Sequence, residues 1–275
     1  MSSAPARLPD LSSDYVLTPQ QIAAYRETGH VLLRAVCTPD EARAYREVIL
    51  DATMRHNRET RPLEERDTYG KAFLQVMNLW TLDEGVRQYT LARRFGHIAA
   101  QLMEVDRVRL YHDQALFKEP HGGHTPWHQD QFYWPLDTAT TVTMWMPLVD
   151  IDATMGSMSF ADGSAAFGFI PTPNEISDES EAFFSEYVDQ RKLPISGGGA
   201  MAAGDATFHS GWCLHRAPGN VTDRVREVMT VIYFPDGTPV GAPKNDFQKA
   251  DHRVWLDSIA PGDPAAGPLN PVVFP

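Results

Sequence analysis

"TPWHQDQFYWP", residues 125 to 135, sets His128 and Asp130 two apart inside an aromatic-rich, strand-like stretch. In a strand, residues at that spacing face the same side, so an imidazole and a carboxylate project together. By the same parity Phe132 and Trp134 follow them inward, while Trp127, Gln129 and Tyr133 face the other way. Facing solvent, the pair is ordinary surface. Facing an apolar interior, it offers two metal donors. Alone the pattern is weak, because a chain with 10 histidines produces such pairs by chance.

A second imidazole on the same face would complete two histidines and one carboxylate, a set that leaves coordination positions open and suits non-haem Fe(II). The downstream choices are His209, His215 and His252. His215 closes the apolar run "WCL" just before a Pro-Gly-Asn turn. His209 precedes Ser-Gly and also fits a structural or supporting place, and His252 lies in a charged segment. Iron of this kind takes a 2-oxo acid through two atoms, and the acid's far carboxylate then needs a buried cation. Arginine suits that task, because its rigid fork holds a carboxylate by two parallel hydrogen bonds. Arg226 opens the run "REVMTVIYF" and shares its inward face with Val228, Thr230 and Ile232; Arg224 has the same parity but sits nearer the turn.

The totals agree with a small-molecule enzyme. At 275 residues the chain can bury a sizeable core. A formal charge of −12 without a Lys/Arg stripe argues against nucleic acid and anionic membranes as partners. Only Cys37 and Cys213 are present, which suits a reducing compartment. Neither a signal segment nor a membrane-length apolar run is found, so a cytoplasmic protein is expected.

Residues 1–17 are Ser/Ala/Pro-rich and expected to be flexible, with one domain over 18–275. "TPQQIAAYRETG" and "TPDEARAYREVILDATMRH" read as helices opened by Thr-Pro, the first closed by Gly29. "HVLLRAV" and "KAFLQVMNLW" read as strands, "NRETRPLEERDTYG" as a loop, and residues 83 to 104 as mostly helical. From residue 106 short β-type runs alternate with Gly, Pro and Asp, interrupted by one acidic helix in "NEISDESEAFFSEYVDQRK". The Pro-rich tail is expected to be extended. Short strands with turn signals predict a sandwich or barrel with helices in front.

Together, "WHQD" (127–130), "MWMPLVDI" (144–151), "MGSM" (155–158), "GD" (204–205), "LHRAPGN" (214–220) and Arg226 resemble the phytanoyl-CoA dioxygenase family of Fe(II)/2-oxoglutarate-dependent oxygenases. Within it the chain is closer to bacterial natural-product tailoring members, as in antibiotic biosynthesis, than to the peroxisomal phytanoyl-CoA enzyme. The resemblance runs from about residue 18 to the C-terminus. It implies a mainly β fold with flanking α: a double-stranded β-helix, the cupin-like jelly roll, with N-terminal helices packed outside. It places the metal on His128, Asp130 and His215. It places the co-substrate on Arg226, with Trp145, Thr143, Gln114 and, against simple parity, Gln129. Ala217 stands where the family often has serine, so one co-substrate hydrogen bond is absent or supplied elsewhere.

The implied cofactors are Fe(II), 2-oxoglutarate and O2, the 2-oxo acid being decarboxylated to succinate. Relatives that halogenate lack the carboxylate of Asp130, so its presence points to hydroxylation of an unactivated C–H bond in a small, largely apolar molecule. The same iron chemistry can also cyclise, epimerise or desaturate. From another class comes a noncatalytic ligand-binding barrel, which has no need of an oxo-acid clamp. Phe132, Trp134 and Trp212 are candidates for an apolar substrate wall, although aromatic residues also build cores. Phe73, Gln75 and Asn78 are candidates for the mouth. His121 and His124 sit in a Gly-rich loop expected to flank the site, and Cys213 reads as a buried structural thiol. Oligomeric state is open.

Overall fold

Thr18-Pro19 and Thr38-Pro39 each start a helix by the same device. The threonine hydroxyl accepts the backbone N–H three residues on, and the side chain there, Gln21 or Glu41, bonds back to the threonine N–H. In the computed structural model, which describes residues 7–172 and 175–275, these are α1 (Pro19–Thr28) and α2 (Pro39–His56), with β1 (His30–Leu33) between them. Gly29 ends α1 at φ 87°, and a Cβ there would lie 2.9 Å from that of Ala165, so both backbone and space call for glycine.

The stretch expected to be a loop carries a short helix, α3 (Thr68–Ala72), capped by Asp67. β2 (Leu74–Met77), α4 (Glu84–Thr90) and α5 (Arg93–Met103) follow. Then come β3 (Val108–Phe117), β4 (Thr125–His128), β5 (Val142–Pro147), β6 (Ser159–Ala161) and α6 (Asp178–Arg191). The chain closes with β7 (Ile195–Gly197), β8 (Ala206–Ser210), β9 (His215–Ala217), β10 (Val228–Pro235), α7 (Asp246–Val254) and β11 (Val272–Phe274).

The strands form two antiparallel sheets. The larger runs β1-β8-β5-β10-β3-β11, with β2 also paired to β3, and the smaller runs β4-β9-β6-β7. Their inner faces meet through Trp145 and Val228 from one sheet and Phe160 and Ala217 from the other. This is the double-stranded β-helix. Strands β5 and β10 are buried on both faces, which is why they read as nearly unbroken apolar runs. Their outward residues, Met144, Met146, Met229, Val231 and Tyr233, pack with Tyr45, Ile49, Phe95 and Ile98 of the helices. The alternate residues, Thr143, Trp145, Thr230 and Ile232, face the interior cavity. The helical layer therefore braces the sheet from behind, and the space between the sheets is left for chemistry. Over the smaller sheet, Phe184 and Val188 of α6 pack on Trp127, Ala161 and Leu214.

Residues 1–6 of the N-terminal stretch lie outside the described residues. Residues 7–17, read as flexible, are packed down. Leu11 and Leu17 are buried, and Tyr45 Oη donates to Pro9 O at 2.7 Å. Two leucines in a polar stretch are enough to fasten it to the helical layer. Ahead of the Pro-rich tail lies one helix the sequence did not announce, α7, started by Asn245, whose side chain accepts from Gln248 N. No helix among the described residues is long and apolar enough to cross a membrane.

Candidate active site

His128 ends β4 and His215 begins β9, and the two are direct cross-strand partners. Distant in sequence, they are brought to a ring-centroid separation of 4.1 Å. After His128 the chain leaves the strand for a 3-10 turn, Asp130–Tyr133. The turn swings Asp130 back over the imidazoles, with Oδ1 3.4 Å from His128 Nε2 and 3.5 Å from His215 Nε2. One ligand atom from each of the three lies within 4.8 Å of the others.

The hydrogen bonds behind the rings determine what they offer. His128 Nδ1 is 2.8 Å from Pro126 O and His215 Nδ1 is 3.0 Å from Cys213 O. A carbonyl only accepts, so each Nδ1 carries the proton and each Nε2 turns a lone pair toward the shared centre. Burial, reinforced by His128, holds the His215 imidazolium well below the usual range. For Asp130 burial opposes ionisation, but the surrounding imidazoles, His215 foremost, outweigh it and hold the carboxyl well below its ordinary value. Two neutral imidazoles and a carboxylate oxygen around one space fit a divalent metal with open positions, Fe(II) in particular.

His209 supplies a feature that the linear pattern left open. Its Nε2 lies 3.2 Å from Asp130 Oδ2, and Thr143 Oγ1 donates to the same oxygen at 2.9 Å. Thr143 and His209 are register partners on β5 and β8, which is why they reach one atom together. Thr143, expected beside the co-substrate, lines the cavity but spends its hydroxyl on Asp130.

Arg226 precedes β10 and is 1% exposed. Its Nη1 donates to Gly156 O at 2.6 Å, its Nε has no partner, and the guanidinium lies 5.3 Å from the Trp145 ring centroid. Burial pushes its pKa down to about 9. No carboxylate pairs with it among the described residues, and an unpaired buried cation is costly. An anionic ligand would offset that cost.

These groups line one cavity of about 670 Å³ that also reaches Tyr69, Tyr133 and Phe247. Phe73, Gln75, Gln114, Trp134 and Trp145 also line it. Gln75 Nε2 donates to Gln114 Oε1 at 2.8 Å, and Tyr69 Oη donates to Gln75 Oε1 at 3.0 Å, a polar chain along the wall.

Four expected site residues are elsewhere. Gln129 is buried outside the cavity, its amide donating to Gly168 O and Trp212 O and accepting from Ile170 N. Phe132 stacks on Phe169 at 6.4 Å, because the 3-10 turn ends the strand alternation and brings Tyr133 inward instead. Trp212 meets the same Phe169 edge-on at 6.0 Å. Asn78 takes a left-handed turn at φ 51° and accepts from Trp80 Nε1 at 2.8 Å, a purely local role. His121 and His124 are exposed, beside Asp223 and Asp178.

On this fold, such a donor set belongs to a non-haem Fe(II)- and 2-oxoglutarate-dependent oxygenase. The phytanoyl-CoA dioxygenase (PhyH) family model matches residues 14–228, and the chain is a member of that family. A solved non-heme alpha ketoglutarate dependent carbocyclase, SnoK from nogalamycin biosynthesis, is similar at 25% identity and TM-score 0.77, covering 98% of this chain and 100% of its own. The epimerase SnoN from the same biosynthesis shares the fold at 24% identity and TM-score 0.76, over 93% of this chain and 98% of its own. EctD from S. alaskensis, solved with 2-oxoglutarate and 5-hydroxyectoine, shares it at 15% identity and TM-score 0.67, over 88% of each chain. No curated protein is a match.

Proposed function

We propose that residues 18–275 form one catalytic domain that hydroxylates an unactivated C–H bond of a small, largely apolar metabolite in the cytoplasm. In this reading His128, Asp130 and His215 hold Fe(II), and Arg226 receives the far carboxylate of 2-oxoglutarate. With O2 and the 2-oxo acid, the bound iron supplies the oxidant that removes hydrogen from carbon. The protein's part is to position the reactants and exclude water. Trp145 and the Gln75–Gln114 pair shape the co-substrate side, while Phe73, Tyr133, Trp134 and Phe247 form an aromatic wall for a flat or cyclic skeleton. The observation that carries the proposal is the convergence of three donors and an unpaired buried guanidinium on one cavity. Asp130 supports hydroxylation over halogenation, because its oxygen takes the position a halide would need.

A second reading is favoured by the 25% identity to a carbocyclase over nearly the whole chain. There the substrate radical closes a ring, inverts a centre or loses a second hydrogen instead of gaining hydroxyl. The test is Fe(II)-loaded protein with 2-oxoglutarate and O2. Succinate release is expected, and a panel of polycyclic secondary metabolites is then screened by product mass. A gain of about 16 mass units means hydroxylation, and a loss of about 2 or no change means the second reading. Absence of O2-dependent succinate with every substrate, and without one, overturns both.

A further inference from the structure

Helix α7 puts Phe247 and Asp251 into the lining of the cavity. One helical turn apart, the two share a face. The helix is fixed against the 3-10 turn that carries Asp130, because Asn245 Nδ2 and Gln248 Nε2 both donate to Phe132 O, at 3.3 and 3.0 Å. Tyr111 joins Asp251 to the aromatic wall: its hydroxyl donates to Asp251 Oδ2 at 2.8 Å, and its ring lies 5.4 Å from that of Trp134. Tyr133 meets Phe247 edge-on at 5.3 Å. A carboxyl group thus shares the lining with the rings of Tyr133, Trp134 and Phe247.

No lysine, arginine or histidine pairs with Asp251 among the described residues. On its own helix Lys249 pairs with Asp246, His252 Nε2 lies 2.6 Å from Ile259 O, and Arg253 is exposed. His112, 6.3 Å from the Trp134 ring, lines the same cavity, and burial holds it neutral, its pKa down to about 3. The basic groups are engaged elsewhere. Arg216 donates to Glu181 at 2.7 Å, and Arg226 stands at Gly156, its backbone bridged to that of buried Lys118 at 2.9 Å. The rest of the lining adds the acids Asp67, Glu175, Asp178 and Glu179. Burial accordingly pushes the Asp251 carboxyl up to about 7, as expected of an acid kept from water without a cation. An ammonium group supplies that cation, and aromatic rings attract it through their quadrupoles. A neutral hydroxyl would use the carboxyl but not the rings.

We propose that the organic substrate carries a basic amine, bound as its ammonium ion by Asp251 and the rings of Tyr133, Trp134 and Phe247. This rests on the functional reading, which seats the 2-oxo acid at Arg226. The two guests of the cavity then carry opposite charges, and each charge has its own counterpart in the wall. That polarity orients the substrate, and the acids of the lining draw it in.

The test is a fluorescence titration of Fe(II)-loaded protein with 2-oxoglutarate and without O2. It compares 9-(aminomethyl)anthracene, a cation at neutral pH, with 9-anthracenemethanol, its uncharged counterpart. The amine should bind about ten-fold tighter or better, the worth of one hydrogen bond between charged groups. Asp251→Asn should remove that preference by weakening the amine alone. Phe247→Leu keeps apolar area but removes a ring, and should narrow the preference about two- to five-fold. It decides the matter should Asp251→Asn fail to fold. Repeating the titration at about 0.5 M salt separates the cavity wall from the exposed acids, whose attraction is screened at that ionic strength while a buried pair is spared. Equal binding of the two probes, no binding of the amine, or a preference that salt abolishes or that either substitution leaves unchanged overturns the inference. Wild-type protein that takes up no 2-oxoglutarate defeats the functional reading instead.

Discussion

His209 Nε2 lies 3.2 Å from Asp130 Oδ2, while Asp130 Oδ1 faces His128 and His215 at 3.4 and 3.5 Å. The two oxygens of one carboxylate thus have separate tasks. Oδ2 is tied down by His209 and Thr143, and Oδ1 is left for a metal. Three imidazoles surround Asp130, yet only two of them have their Nε2 lone pairs free.

That division separates two substitutions by metal content. His215→Ala should abolish iron retention and turnover. His209→Ala should retain iron with affinity lowered about 10- to 100-fold, the usual cost of losing a partner behind a ligand. Bound iron counted after gel filtration checks this, and a reversed order would move the ligand from 215 to 209.

Arg226→Ala should raise the 2-oxoglutarate requirement by about 100-fold, since it removes a two-pronged charged contact. The substrate requirement should move far less. Steady-state KM for each shows the split, and equal shifts would assign the clamp elsewhere, with Arg224 the next choice.

Gly156 has φ 84°, and a Cβ there would lie 2.6 Å from Pro218 O. Gly156→Ala should therefore cost about 2 kcal/mol from backbone strain and crowding. In a chain of this size that lowers Tm by several degrees, roughly 4–8 °C. Because Gly156 O accepts from Arg226, weaker 2-oxoglutarate binding should accompany the thermal loss. A calorimetric scan with and without the acid measures both.

Asp251 lines the cavity and accepts from Tyr111 Oη at 2.8 Å. Burial pushes its carboxyl up to about 7, against the pull of that hydrogen bond. The folded chain keeps a proton that the unfolded chain releases near pH 4. The stability involved is intact below about pH 4 and is lost as pH rises through about 7. Between about pH 5 and 8 the wild-type Tm should fall relative to Asp251→Asn. Parallel Tm profiles would show the carboxyl already ionised at the lower pH.

Much of the architecture was legible along the chain because it depends on neighbours in sequence. The Thr-Pro starts, Gly29 and the apolar runs of β5 and β10 act within a few residues of themselves, and the structure keeps each where the pattern placed it. The inward parity of Thr230 and Ile232 behind Arg226 held because β10 stays extended throughout. Beyond His128 the same rule misassigned Phe132, because strand alternation cannot announce where a strand stops. The short helix at Thr68 and the helix at Asp246 hid in polar stretches whose caps, Asp67 and Asn245, resemble loop residues.

By itself, then, the order of residues determined most element types, the His-x-Asp pair and an arginine at the head of a strand, all consequences of local propensity and period. Tertiary pairing alone decided which imidazole stands across from His128, that Thr143 and His209 share one carboxylate oxygen, and that Lys118 is sealed beside Arg226. Those relations join positions tens of residues or more apart. They follow from strand register, which is selected by burial of whole faces at once, a sum over the entire fold that no short window contains.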